Sequence, residues 1–71
     1  MKTLKQIRTF RGFSQRRLAE AMEMQQPHIV TMEKGDSLSP GTQIATIFKI
    51  NKALNCRSVI HGSKIYFEEI T

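Results

Sequence analysis

The chain has 71 residues, a formal net charge of +5 and a single cysteine, Cys56. That length holds one domain with a core of marginal size, and one cysteine excludes an intrachain disulfide framework. No apolar run is long enough to span a membrane, and no signal peptide is read at the start, so the expected setting is a reducing cytoplasm. The basic balance suits a polyanionic partner. Its distribution is uneven: Lys2, Lys5, Arg8, Arg11, Arg16 and Arg17 all precede the first acidic residue, Glu20.

Thr3 can cap a first helix from about Leu4 to Arg11, with Leu4 and Ile7 turned to the core and Gly12 as its stop. Phe13 then enters the core just before Ser14, in the manner of a hydrophobic staple. Ser14 caps a second helix. Leu18, Ala19 and Met22 share one face of it, and Ala19 is small enough for close helix approach. Gln25-Gln26-Pro27 begins a third helix, since proline is tolerated in the first turn. Ile29, Met32 and Glu33 form its inward stripe, and Gly35 supplies a left-handed stop.

Asp36 to Gly41 reads as a loop by composition. Ser39 or Thr42 caps a long fourth helix to about Leu54. Ile44, Ile47, Phe48, Ile50, Ala53 and Leu54 supply its apolar positions at a 3.6-residue period. Asn55 can take the left-handed stop. The tail from Cys56 onward differs in character. Val59-Ile60 and Ile65-Tyr66-Phe67 flank Gly62-Ser63, a hairpin signal with glycine at the first turn position. The tail is expected as strand, either an intrachain hairpin or an exchanged edge.

The ordered set Gly12-Phe13-Ser14-Gln15, Leu18-Ala19, Ile29 and Glu33-Lys34-Gly35 resembles the Cro/repressor class of helix-turn-helix proteins, also called the xenobiotic-response-element type. The resemblance runs through Ile47, Ile50, Ala53 and Leu54, covering roughly residues 4 to 55. It departs at Glu23, where the family usually has glycine; a non-glycine residue reaches the left-handed region there at modest cost. It also fails in the tail, which is reminiscent of HipB-type antitoxins. The resemblance implies a mainly α fold, a four-helix DNA-binding domain over residues 1–55; the strand-like residues beyond it read as a β-rich dimerisation tail over 56–71. It further implies that Arg8 pairs with Glu33 and ties the first helix to the third, the alternative being that Arg8 meets solvent or phosphate.

On that reading the third helix enters the major groove. The base-reading candidates are Gln25, Gln26, Pro27, Val30 and Thr31. A glutamine amide can both donate to and accept from adenine, and the apolar groups can contact thymine methyls. Gln15, Arg11, Arg16, Arg17, Lys34 and His28 are the phosphate candidates, with His28 equally readable as plain surface. Val59, Ile60, Ile65, Tyr66 and Phe67 carry much apolar surface, and pairing this tail with that of a second copy would cover it. The expected function is a homodimeric, sequence-specific repressor of transcription acting on a palindromic double-stranded DNA operator. The competing expectation is an antitoxin that neutralises a partner toxin protein while regulating its own operon. Neither an enzymatic constellation nor a metal-ligand spacing is visible, and no cofactor is expected.

Overall fold

The computed structural model describes residues 1–34 and 44–70. The expected Gly35 stop, the 36–41 loop and the Ser39 or Thr42 cap lie outside the described residues. Within them the chain forms four helices and a two-stranded antiparallel hairpin: α1 (Leu4–Phe10), α2 (Gln15–Ala21), α3 (Gln26–Glu33), α4 (Ile44–Leu54), β1 (Cys56–His61) and β2 (Lys64–Glu69).

The helix ends follow from local chemistry. Thr3 and Gln6 cap each other's backbone at the start of α1, a reciprocal capping box that satisfies two donors. The end of α1 closes with Gly12 at φ 75°, Phe13 N–H donating to the Arg8 carbonyl and Gly12 N–H to that of Thr9. That is a Schellman motif, in which the left-handed residue lets two late carbonyls find partners. Arg11 is the C-cap, so α1 stops one residue short of the expected span. Ser14 caps α2 through the Arg17 N–H.

The same motif ends α2, with Glu23 as its left-handed residue at φ 56°. Met24 N–H donates to Ala19 and Glu23 N–H to Glu20. The glutamate therefore takes the glycine-like conformation, and the two satisfied carbonyls offset its modest steric cost. Asn55, at φ 49°, ends α4 in the same left-handed region.

One core runs through all six elements. Leu4, Ile7, Leu18, Ala19, Met22, Ile29, Ile50 and Leu54 are buried together with Cys56, Ile65 and Phe67 of the hairpin. Burial pushes the Cys56 thiol up to about 11, against the lowering influence of Arg11, so it sits in the core as a neutral thiol. The hairpin turns at Gly62 (φ 66°) and Ser63, with only the first central residue at positive φ. Its register pairs Cys56 with Glu69 and His61 with Lys64. The outer edge of β2 is held by the N-terminus: Lys2 and Phe67 exchange both backbone hydrogen bonds, and Lys2 Nζ meets Glu69 Oε2 at 2.8 Å. That bond holds the Glu69 carboxyl below its usual range.

Three expectations change here. Of the two arrangements open for the tail the intrachain hairpin is the one formed, and Ile65 and Phe67, expected at a dimer interface, are buried in the chain's own core. Residues 56–71 are correspondingly not a separable tail, because the helices and the hairpin share one core. Finally, Ile44 and Phe48 share the apolar period of α4 with Ile50 and Leu54, yet they are exposed at 73% and 68%. A helix beside a narrow two-stranded hairpin has only part of its circumference covered.

Phe67→Ala is expected to cost about 3–5 kcal/mol, read as a lowered urea midpoint. Deleting residues 56–71 should abolish cooperative unfolding altogether. A truncated chain that still melted in one sharp transition would show that the hairpin is an appendage.

Candidate nucleic-acid interface

α2 and α3 pack against each other across the four-residue turn Met22–Gln25. Leu18 and Ala19 on α2 and Ile29 on α3 are all at 3% exposure or less, so the crossing is close and apolar. α3 is anchored a second time by charge. Arg8 of α1 donates from Nε to Glu33 Oε2 at 2.5 Å and from Nη2 to Glu33 Oε1 at 3.2 Å. Its Nη1 donates to the Phe13 carbonyl at 2.7 Å. The Gln15 amide adds a third donor to the carboxylate, at 3.0 Å from Oε1. The Arg8 and Glu33 side chains are only 9% and 5% exposed. A buried bidentate pair of this kind is geometrically specific, and each partner is costly without the other.

Ile29 and Glu33 lie one turn apart and face inward, which turns the other side of α3 to solvent. Gln26, Pro27, Val30, Thr31 and Lys34 line one shallow hollow on that side. The Thr31 hydroxyl donates to the Pro27 carbonyl at 3.0 Å, which satisfies its polar end locally. Gln25, the N-cap, is exposed and makes no side-chain capping bond. His28 is also exposed, and it borders a neighbouring hollow with Met24, Met32 and Thr46 of α4, which adjoins the first at Thr31.

The expected phosphate residues divide into two groups. Arg16 and Arg17 are exposed on α2: Arg16 lies within 3.9 Å of Glu20, and the Arg17 guanidinium stacks 4.4 Å above the Phe13 ring. Lys34 is exposed at the end of α3. Arg11 and Gln15, by contrast, are engaged inside the fold. Arg11 donates from Nε to the Leu54 carbonyl and from Nη2 to those of Asn55 and Ile70. It thereby caps the carbonyl end of α4, where partial negative charge accumulates. The amide of Gln15 is held by Glu33. These two are withdrawn from the phosphate set. Nothing local in the sequence distinguishes Arg11 from Arg16 or Arg17, because its partners lie more than forty residues away.

Among the described residues no three His, Cys, Asp or Glu side chains cluster as a metal site would require, and no helix is long and apolar enough to cross a membrane. No protein-family model matches the chain, nor does any curated protein or solved structure.

Replacing either Arg8 or Glu33 by methionine leaves a buried charge without its partner and should cost about 3–5 kcal/mol. The double variant should cost far less than the sum of the two. Denaturant midpoints of the three variants decide the matter, and simple additivity would mean that the pair does not act as a unit.

Proposed function

We propose that this chain is a sequence-specific double-stranded DNA-binding protein, a repressor of transcription that acts as a homodimer on a twofold operator. In this reading α2, the turn and α3 are a helix-turn-helix, and α3 lies in the major groove. The observation that carries it is the outward face of α3. Gln26, Pro27, Val30, Thr31 and Lys34 form one contiguous surface, while the opposite side of the helix is locked by Ile29 and by the Glu33 pair.

The chemistry of that surface suits base edges. The Gln26 amide can donate to adenine N7 and accept from the N6 amine, and Val30, Pro27 and the Thr31 methyl suit thymine. Because the Thr31 hydroxyl is bonded to its own helix, its methyl is the group left to present. Gln25 stands beside this surface as a further reader. Arg16, Arg17 and Lys34 supply charge for phosphates, which fixes register and carries no sequence information.

Gln26→Ala is expected to weaken binding to the cognate site by about 1–3 kcal/mol while leaving random DNA almost unaffected. Selection of bound sequences from a random pool, followed by titration of wild type and variant, measures this; equal losses on both DNAs would remove Gln26 from the readers.

The two classes of arginine separate in a second measurement. Arg17→Ala should flatten the plot of log affinity against log salt by about one unit. Arg11→Ala should leave that slope unchanged and lower the denaturation midpoint instead. The reverse pattern would return Arg11 to the DNA face.

A further inference from the structure

Among the described residues three cations lie over aromatic rings. Lys2 and Arg11 flank the ring of Phe10, and both are bonded within the fold, Lys2 to Glu69 and Arg11 to three carbonyls. Arg17 is different. Its guanidinium carbon lies 4.4 Å from the centre of the Phe13 ring, the shortest of the three distances, and the residue is exposed.

The ring beneath it is fixed from both sides. Phe13 N–H donates to the Arg8 carbonyl at 3.0 Å, and the Phe13 carbonyl accepts from Arg8 Nη1 at 2.7 Å. Arg8 is in turn clamped by Glu33. The half-buried ring itself packs against the core. Arg17 is also held at its base, where its N–H donates to Ser14 Oγ at 3.0 Å. Both ends of its side chain therefore have a defined place, one at the start of α2 and the other on the ring. Its neighbour Arg16 has only a Glu20 oxygen at 3.9 Å, with both side chains largely exposed, and an ion pair of that kind restrains little. Helix stability does not account for Arg17 either. A cation in the first turn faces the positive end of the backbone dipoles, and α2 has no acidic residue there to offset it.

We propose that Phe13 is a positioning residue for DNA binding, its ring holding the Arg17 guanidinium where it grips a phosphate. The inference rests on the DNA reading and adds to it a side chain that acts through another. A free arginine side chain loses rotamer freedom when it grips a phosphate, and that loss weakens binding. A ring face attracts the cation through its quadrupole without occupying an N–H group. The ordering then happens on folding rather than on binding. A guanidinium gains much from this, because its planar fork of donors meets a phosphate in a fixed orientation. Arg17 thereby outweighs Arg16, which carries the same charge on the same helix.

The test titrates the full chain and its variants with random-sequence duplex and with the selected cognate duplex at one salt concentration. Urea midpoints confirm that each variant is folded under those conditions. Phe13→Leu keeps an apolar side chain and removes the ring face, whereas Phe13→Tyr keeps the face. Phe13→Leu should weaken binding to both duplexes about two- to tenfold per bound copy. Phe13→Tyr should restore affinity to within about twofold of wild type. In an Arg17→Ala background, Phe13→Leu should have no further effect. In the free protein, the Arg17 side-chain protons should show an upfield ring-current shift in wild type and Phe13→Tyr, and none in Phe13→Leu. A Phe13→Leu protein that binds as tightly as wild type would overturn the proposal. So would an equal loss in the Arg17→Ala background, which is the result a merely structural role for Phe13 gives. A wild type that binds no duplex of any sequence would sink the DNA reading and this proposal with it; wild-type binding that Phe13→Leu leaves unchanged would remove the positioning role alone.

Discussion

The placement of α3 depends on the pairing of Arg8 with Glu33. Neither group could remain charged and nearly buried alone, since desolvation of an isolated ion is worth several kcal/mol against it. Each is stabilised by the other and by two further groups, the Phe13 carbonyl on the arginine and the Gln15 amide on the glutamate. The four residues come from α1, the α1–α2 corner, the start of α2 and the end of α3. A single network thus fixes three helices at once. It is directional where the apolar contacts of Ile29 and Leu18 are not, so it sets the rotation of α3 about its own axis as well as its distance from the core. That rotation determines which side chains α3 shows to solvent.

Arg11 makes the second long-range closure. Its guanidinium gathers carbonyls from the end of α4, from Asn55 and from Ile70 beyond β2. The N-terminal strand contact through Lys2 closes the opposite side of the same hairpin. Both devices tie residues far apart in the chain, which suits a domain too small to rely on apolar burial alone. They also sort the basic residues. Lys2, Arg8 and Arg11 have partners within the fold, whereas Arg17 and Lys34 project from the surface next to or on the helices proposed to meet DNA.

The hairpin carries both the completion of the core and its incompleteness. Phe67 and Ile65 close the interior under α1 and α4, and a strand pair is too narrow to cover the rest of α4. The residue alternation of β1 continues past the covered region, so Ile60 is apolar and exposed on the hairpin's inward face.

Much of the local structure could be read from the residues. The caps at Thr3 and Ser14, the stop at Gly12, the left-handed Asn55 and the Gly62-Ser63 turn are short-range matters of hydrogen bonding and φ, and the chain encodes them within four or five positions. The inward stripe of α3 was equally legible, because helical periodicity separates Ile29 and Glu33 from Val30 and Lys34. Periodicity did not reveal how much of each apolar face would be covered. Ile44 and Phe48 fit the α4 stripe as well as Ile50 and Leu54 do, and only the width of the packed hairpin left them exposed. It did not reveal that Ile65 and Phe67 fold back beneath the helices, since a strand's alternation is the same against its own core or a neighbour's. Nor could it separate Arg11 from the arginines around it. Its role depends on three carbonyls brought together from distant segments, and that convergence exists only in the folded chain.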